Sequence, residues 1–325
     1  MPWKSRLFSC RDCCYGGVHP HRIPMINALT IDVEDYYMVS AFADVVRFEE
    51  WGTYESRVEK NTYRILDALD EHNVKATFFI LGWVAEHCSK LVRDIHASGH
   101  EVACHGYNHR LIYDQTPEQF RDDVRKAKAI LEDIAGAPVI GYRAASYSIV
   151  KETLWALDIL VEEGFAYDSS IFPITHDVYG IPDAERFPHE ITTAAGNIQE
   201  FPLTTLPYRV FGREVRFPIA GGGYLRLLPV WFVSRGIRLV NQSEGRPAVV
   251  YFHPWELDPE QPRIPARWKS RFRHYLNLDK MERKIAYLLA RHRFAPLKNV
   301  LLEVFPTATP SLQPLPLLRG GGVTA

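Results

Sequence analysis

The sequence predicts an α/β fold in which parallel strands alternate with helices. From Met25 to about residue 171, short apolar runs alternate with segments whose apolar residues recur at helical spacing. The chain has 325 residues and is 46% hydrophobic, which is enough for a sizeable core and for one large or two small domains. Ionisable residues directly follow several of the apolar runs, as expected at the carboxyl ends of parallel strands.

The first elements follow a regular order. "INALTI" predicts a strand that ends at Asp32, and "SRVEKNTYRILDALDEHN" predicts a helix with one apolar face. "ATFFIL" predicts the next strand. The segment "VAEHCSKLVRDIHASGH" predicts one helix that stops near Gly99, and "EVAC" predicts a third, very short strand.

The next elements repeat the alternation. "PEQFRDDVRKAKAILEDIAG" is the clearest helix, because Pro117 starts it, Gly136 ends it and an apolar stripe lies between them. "PVIGY" predicts a strand, "KETLWALDILVEEG" a helix and "FAYDSS" a further strand. The order of these segments favours a parallel sheet covered by helices.

After Ile171 the pattern loosens. Residues 172–228 are rich in Pro and Gly and predict loops and hairpins added to the α/β core, whereas "PAVVYF" predicts another buried strand. A polar helix is expected over about Lys269 to His292, and "KNVLLEVF" predicts a last strand. We expect residues 1–24 to be a disordered leader and residues 306–325 a disordered tail, which leaves 25–305 as the folded domain.

The composition narrows the classes of partner. Lys+Arg is 38 and Asp+Glu is 39, a balance that argues against nucleic acid or an anionic membrane as the main partner, since either would usually leave a basic excess. No run reaches the roughly 18 apolar residues of a membrane span, and the N-terminus has no apolar signal region. We therefore expect a cytoplasmic protein without stable membrane insertion, and peripheral association with an export machinery is compatible with that.

The cysteines allow one further metal hypothesis. The count of five is odd, which favours a reducing compartment. A zinc cluster in the leader is conceivable, but its spacing fits no paired pattern, and a disordered segment is the favoured interpretation. The residues of that cluster would be Cys10, Cys13, Cys14, His19 and His21.

Polar residues follow five predicted strands, and parallel strand ends converge on one face of a barrel or a doubly wound sheet. The residues concerned are Asp32, Glu34, Asp35, His105, His109, Arg143, Asp168 and His253. One such residue would mean little, but a succession from distant segments predicts a shared site.

The pair His105 and His109 suggests a metal site. Residues four apart share a face when the segment is helical, so both rings could reach one cation. Imidazole nitrogen with carboxylate oxygen is a ligand set of Zn²⁺ and related ions. The carboxylate would come from "DVED", and the alternative for the histidines alone is a hydrated loop.

The other strand-end residues have both structural and functional interpretations. Arg143 is a surface cation or, after a buried strand, the partner of a carboxylate in the cleft. His253 is a packed core residue or, beside a metal site, a general acid. Asp168 is a turn or helix cap, or a residue that lines or supports the site.

Five motifs together resemble the polysaccharide deacetylases with the NodB homology domain. They are "TIDVEDYY", "HGYNH", "GYRAASYS", "YDSSIFP" and "YFHPWELDPEQPR", and their order matches over about residues 25–304. The long last motif resembles the branch associated with exosortase and exopolysaccharide loci.

This resemblance implies the fold and the roles of the residues. It implies a distorted (β/α)₇ barrel in which Asp32 is the general base, Arg143 orients it, and His253 is the general acid. His105 and His109 would hold a divalent metal with Glu34, or with Asp35 as the alternative acid. Ser146, Asp168 and Trp255 would contact the substrate or the oxyanion.

Two positions depart from the family pattern. Relatives usually have Pro where Ala145 stands, and often Ser or Thr where Cys104 stands. The first departure would loosen the turn that holds the backbone amide of Ser146. The second would be a silent packing change or would alter the sensitivity of the site to oxidation.

The resemblance also implies a reaction. The expected enzyme removes N-acetyl groups from N-acetylhexosamine residues of a polysaccharide or oligosaccharide, with zinc as the expected metal and cobalt, nickel or manganese also suitable. The alternatives are an allantoinase-like hydrolase of small amides on the same barrel and a carbohydrate-binding protein without catalytic activity.

Overall fold

The computed structural model describes residues 25–306 apart from Asp177, residues 211–212 and Ala220. Its eleven strands are β1 (Ile26–Val33), β2 (Thr77–Ile80), β3 (Glu101–Cys104), β4 (Gly141–Tyr142), β5 (Tyr167–Asp168), β6 (His189–Thr193), β7 (Gly196–Glu200), β8 (Thr205–Val210), β9 (Arg213–Pro218), β10 (Val249–Phe252) and β11 (Arg293–Ala295). Its ten α-helices are α1 (Val58–Glu71), α2 (Gly82–His87), α3 (Ser89–Ala97), α4 (Pro117–Ala135), α5 (Trp155–Glu162), α6 (Gly222–Leu227), α7 (Val230–Ser243), α8 (Trp268–Tyr275), α9 (Met281–Leu289) and α10 (Leu297–Val304).

Seven strands of this part of the chain run parallel, in the order β10-β1-β2-β3-β4-β5-β7. Between β7 and β10 the wall is completed by side-chain bonds: the amide of Val249 donates to Thr204 Oγ1 at 2.7 Å, and that hydroxyl donates back to the Val249 carbonyl at 3.1 Å. Gly221 adds a parallel bridge to Tyr251. The predicted α/β class and its distorted (β/α)₇ barrel are confirmed.

The helices cover the outside of the barrel because each has one apolar face. In α4, Phe120, Val124, Ala127 and Leu131 are buried at helical spacing. Thr116 and Gln119 form a capping box at its start, and Gly136 ends it in the left-handed conformation with φ 64°. The strands are therefore buried on both faces, which explains their nearly continuous apolar sequence.

Three predictions of secondary structure were wrong, and two of them concern the barrel. The single helix expected before Gly99 is divided at Cys88, whose φ of −128° and ψ of 48° interrupt it between α2 and α3. "KNVLLEVF" forms helix α10, because Leu297, Val300 and Leu301 are buried at helical spacing. The last strand is instead β11, which pairs with the start of β1.

The second half of the chain adds hairpins and helices to the barrel, as predicted. β6 and β7 form one antiparallel hairpin and β8 and β9 another. The polar segment after Lys269 contains α8, a 3₁₀ turn and α9 rather than one helix. The 14-residue helix α7 was not predicted.

Two further observations concern membrane-spanning helices and the ends of the chain. None of the described helices is both long and apolar enough to cross a bilayer. The predicted leader with its cysteine and histidine cluster, and the tail from residue 307 onward, lie outside the described residues.

Candidate active site

The side chains that follow the barrel strands meet in one cleft of about 240 Å³. Asp32 and Glu34 reach it from β1, His105 and His109 from the loop after β3, and His253 from the end of β10. Residues from the C-terminal additions close the opposite side; they include Gly222, Gly223, Arg226, Arg273 and His274.

Glu34, His105 and His109 form a group that could hold a metal ion. One potential ligand atom of each lies within 4.8 Å of those of the other two. The side chains are enclosed, with 3% exposure for Glu34 and 5% for His109. A carboxylate and two imidazoles leave coordination positions open for water and substrate, as catalytic metals need.

The two histidines meet through a loop and not through a helical face. No helix covers residues 105–109, and positive φ angles at Gly106 (75°) and His109 (54°) turn the chain back. The ring centroids lie 5.4 Å apart. The expected proximity is therefore present, but the helical geometry from which we inferred it was wrong.

Hydrogen bonds orient both imidazoles. His105 Nδ1 lies 2.8 Å from the carbonyl oxygen of Arg143, which can only accept, so Nδ1 carries the proton and Nε2 keeps a free lone pair. Burial lowers the pKa of His105 to about 4, so the ring is neutral at neutral pH. His109 Nδ1 lies 3.4 Å from Ser40 Oγ.

Glu34 provides the test of whether these residues suit a metal. Burial would raise its pKa, but the neighbouring imidazoles, chiefly His109, hold that pKa well below the usual range. Its Oε1 accepts from Trp255 Nε1 at 3.2 Å. Its Oε2 is buried without a hydrogen bond, although His109 Nε2 lies only 3.0 Å away. A buried carboxylate oxygen and a ring nitrogen thus lie 3.0 Å apart, an arrangement that suits a divalent cation.

Asp35, the alternative acidic ligand, is directed elsewhere. Its Oδ2 accepts hydrogen bonds from Ser56 Oγ and from the amides of Arg57 and Val58, and its Oδ1 accepts one from the amide of Tyr36. These amides lie at the start of α1, where a carboxylate satisfies donors that the helix leaves free. Asp35 therefore caps α1 and does not join the cluster.

Asp32 is held by Arg143 inside the barrel wall. Arg143 is fully buried, and its Nη1 donates to Asp32 Oδ1 at 2.7 Å and to Thr30 Oγ1 at 2.7 Å. Ser169 accepts from its Nε and Nη2 through the carbonyl and hydroxyl oxygens. Asp32 Oδ2 is 3.5 Å from the hydroxyl of Tyr147 and 3.8 Å from His253 Nε2, so this oxygen faces the cleft.

His253 is held by Glu256 and Arg226. Glu256 Oε2 accepts from the His253 amide at 3.0 Å and lies 3.4 Å from Nδ1 of the same residue, whereas its Oε1 accepts from Arg226 Nε at 2.6 Å. Burial would lower the pKa of His253, but the neighbouring carboxylates of Glu256, Glu34 and Asp32 raise it to about 9. The imidazole is consequently protonated at neutral pH.

The turn after β4 is strained at the cleft. Ser146 has φ 48° and Tyr147 has φ 56°, a backbone conformation that residues other than glycine rarely adopt. Ser146 Oγ lies 2.8 Å from Ser40 Oγ, which links this turn to the His109 ring. Ala145, where relatives usually have proline, is buried and precedes the strained pair.

Asp168 does not line the cleft, contrary to one of its two expected roles. It is fully buried, and its carboxylate accepts from the amide and hydroxyl of Ser170. The hydroxyl of Ser170 in turn accepts from the amide of Ala144 at 2.7 Å. Asp168 therefore supports the turn that carries Ser146. Trp255 does line the cleft, where it stacks on His253 and His274.

Cys104, the second departure, lies in the core. It is fully buried, its Sγ accepts from the Gly106 amide at 3.4 Å, and burial raises the pKa of the thiol to about 12. Several other residues of the site were not predicted from the sequence. Glu256, three residues after His253 in a motif already singled out, could have been found by that spacing; the others are Ser40, Tyr147, Ser169, Ser170, Arg226 and His274.

Comparison with known families divides the chain into two parts. A family model described as polysaccharide deacetylase matches residues 50–160. A second model, described as a domain of unknown function (DUF3473), matches residues 169–302. The histidine pair and Arg143 lie in the first match and His253 in the second, whereas Asp32 and Glu34 precede both.

Comparison with individual proteins also finds relatives that are named as deacetylases. The chain is 30% identical over 152 residues to a peptidoglycan-N-acetylglucosamine deacetylase from Bacillus cereus, a match that covers 42% of this chain and 53% of that protein. The chain thus spans about half the length of that relative, and about a third of two others.

Solved structures share the fold. A Mycobacterium smegmatis protein assigned to the polysaccharide deacetylases aligns over 93% of this chain and 96% of its own, with 22% identity and a TM-score of 0.55. Puue allantoinase aligns over 87% and 90% respectively, with 15% identity and a TM-score of 0.55.

Proposed function

We propose that this chain is a metal-dependent hydrolase that removes N-acetyl groups from N-acetylhexosamine residues of a polysaccharide, because residues 50–160 match the polysaccharide deacetylase family model and the chain is similar to a named deacetylase. One observation carries this proposal. A buried carboxylate and two imidazoles share one small space, and Asp32 and His253 lie beside it.

Glu34, His105 and His109 would hold the metal, with zinc as the best match to this donor set. When bound, a divalent cation would supply a Lewis acid that polarises the acetyl carbonyl and lowers the pKa of water. The neutral His105 ring and the ionised Glu34 are already in the protonation states that ligands require.

Asp32 would act as the general base. Its Oδ1 is engaged by Arg143, which leaves Oδ2 directed at the cleft with only long contacts to Tyr147 and His253. Arg143 fixes the carboxylate and stabilises its charge, so Oδ2 can take the proton from the attacking water. Proton transfer to a positioned side chain accelerates such reactions about 10²–10⁴-fold.

His253 would act as the general acid. Its raised pKa of about 9 keeps Nε2 protonated at neutral pH, and Nε2 points towards Asp32 and Glu34 across the cleft. It can therefore donate its proton to the amide nitrogen as the C–N bond breaks. The products are acetate and a free amino sugar, and the amide N–H of Ser146 would contribute to holding the oxyanion.

The proposed polymer class rests on the resemblance of one motif to the exopolysaccharide-locus branch. We propose an exopolysaccharide, on the strength of the "YFHPWELDPEQPR" motif. This motif includes His253, Trp255 and Glu256, so the feature that distinguishes the branch also builds the acid side of the cleft.

The experiment measures acetate released from N-acetylglucosamine oligomers and from bacterial exopolysaccharide by the full chain loaded with zinc, cobalt, nickel or manganese. Asp32→Asn and His253→Ala should abolish most release, and Asp67→Asn, which changes an exposed carboxylate on α1, should not. Release that is absent, or equal in wild type and both variants, contradicts the proposal.

The same assay separates the alternatives. Turnover of allantoin but not of the oligomers would indicate a small-amide hydrolase, and oligomer binding without turnover would indicate a carbohydrate-binding protein. Metal content should be measured in each variant, because loss of metal and loss of a proton-transfer group both stop turnover.

A further inference from the structure

The segment 261–278 differs sharply in charge from the rest of the chain. It contains five Lys and Arg residues and no Asp or Glu, whereas the whole protein has a net charge of −1. Its cations are Arg263, Arg267, Lys269, Arg271 and Arg273. Helix α8 forms the centre of this segment.

Two aromatic side chains project from α8. Trp268 is 72% exposed and Phe272 is 59% exposed, and they lie four residues apart on one face. Ser270 and His274 turn to the opposite side, because two residues advance a helix by about 200°. His274 is buried and stacks on Trp255 at 4.1 Å, so the inner face of α8 is fixed against the active site.

The cations flank the aromatic pair on both sides. Lys269 and Arg273 lie on one side of it and Arg271 on the other, and all three are exposed. Among the described residues, no salt bridge involves these three side chains, and the one that involves Arg267 is a 3.9 Å contact with the exposed Asp44. Their charge is therefore available to an anionic partner.

We propose that α8 is a docking surface for a bilayer that contains anionic phospholipids. Exposed Trp and Phe insert at the boundary between headgroups and acyl chains, while flanking Lys and Arg bind phosphate-bearing headgroups. Neither Trp268 nor Phe272 lines the cleft or the groove of about 400 Å³ beside it, so the pair forms a ridge. A ridge suits a deformable lipid surface better than a rigid polymer chain.

Because α8 lies beside the cleft, membrane docking would also affect how the polymer reaches the cleft. Arg273 lines the cleft, and its carbonyl and that of His274 accept from Arg226, which holds Glu256. Docking through α8 would place the mouth of the cleft close to the membrane surface. A polymer held at that surface would then reach the site without diffusing away.

The test is sedimentation of the full chain with vesicles of phosphatidylcholine alone and of phosphatidylcholine with phosphatidylglycerol, at low and high salt. We expect binding to the anionic vesicles only, weakened by salt, with a blue shift of Trp fluorescence. Trp268→Ser/Phe272→Ser and Lys269→Glu/Arg271→Glu should each lower the partition coefficient at least about tenfold.

Matched controls use exposed residues elsewhere. Tyr208→Ser/Val215→Ser removes an exposed cross-strand pair on the β8–β9 hairpin, and Lys60→Glu/Arg93→Glu reverses two exposed charges on α1 and α3. Both should bind vesicles like wild type. All four variants change exposed positions outside the cleft, and circular dichroism melting verifies that each is folded.

Three outcomes overturn the proposal. They are no binding to anionic vesicles, equal binding to neutral vesicles at all salt concentrations, and loss of binding in the control variants as much as in the α8 variants. Binding of dextran sulfate without vesicle binding would assign α8 to an acidic polymer instead. The assay needs no turnover, so it is independent of the deacetylase proposal.

Discussion

The two sides of the cleft hold their proposed proton-transfer groups in different ways. Asp32 is held inside the barrel wall by Arg143, which is fully buried and bonded to residues of neighbouring strands. His253 is 16% exposed and is held by Glu256 in a 3₁₀ turn and by Arg226 of α6. Arg226 depends in turn on backbone carbonyls of α8.

This difference separates stability from activity. A change on the base side removes a charge partner in the core and so should affect folding and turnover together. Replacement of His253 on the acid side alters a group at the edge of the cleft and should affect turnover alone. The family models divide the chain in a similar manner, since one covers Arg143 and the other covers His253, Glu256 and Arg226.

The largest expected effect is that of Asp32→Asn. We expect kcat/KM for acetate release to fall about 10³-fold or more, because the proposed base is lost. The free energy of unfolding should also fall by about 3 kcal/mol, because Arg143 is left buried without its carboxylate. Urea unfolding and steady-state kinetics measure the two. A free energy of unfolding equal to that of wild type would contradict the proposed difference between the two sides of the cleft.

His253→Gln should separate the two quantities. Loss of the proposed general acid should reduce kcat/KM about 10²-fold, because the leaving amine would no longer be protonated by the enzyme. The free energy of unfolding should change by less than about 1 kcal/mol, since the side chain lies at the edge of the cleft. A loss of stability as large as that of Asp32→Asn would show that the two sides are equivalent.

How far the sequence predicts this arrangement depends on the distance over which each contact forms. Strands such as β1 and helices such as α4 were predicted because their apolar periodicity is local. The contact between Arg226 and Glu256 was not predicted, because Arg226 follows no strand end and the residues next to it in the sequence do not indicate its partner. The assignment of "KNVLLEVF" to a strand failed because a short apolar run fits both periods.

Prediction of the candidate site from the sequence has the same limit. The convergence of His105, His109 and the acidic motif could be predicted because parallel strands end at the same face. Which of Glu34 and Asp35 joins the histidines could not be predicted in that way. Adjacent residues point in different directions, and only the amides at the start of α1 show that Asp35 is engaged there. The loop that joins the histidines depends on positive φ angles that no sequence period reveals.

Glu256→Gln should shift the pH dependence. The protonated imidazole is the active form of an acid, and the raised pKa of His253 preserves it up to about pH 9. Without the Glu256 charge the alkaline limb of kcat/KM should move towards lower pH, which reduces activity about tenfold near pH 8 and little below pH 6. An unchanged alkaline limb would mean that Glu256 does not set the protonation of His253.

The smallest effect on turnover is expected for Asp35→Ala. The variant removes a carboxylate that accepts amides at the start of α1, so the free energy of unfolding should fall by about 1–2 kcal/mol. Metal stoichiometry and kcat/KM should stay within about twofold of wild type, because Asp35 does not join the cluster. Loss of metal in this variant would return Asp35 to the ligand set.

Anomalous diffraction from crystals of the zinc-loaded protein tests the central claim most directly. We predict one ion at about 2.0–2.2 Å from a carboxylate oxygen of Glu34 and from one nitrogen each of His105 and His109. The ion should remain in Asp35→Asn and be lost or weakened in Glu34→Gln. An ion bound by Asp35, or a peak elsewhere with none at these three residues, would contradict the account.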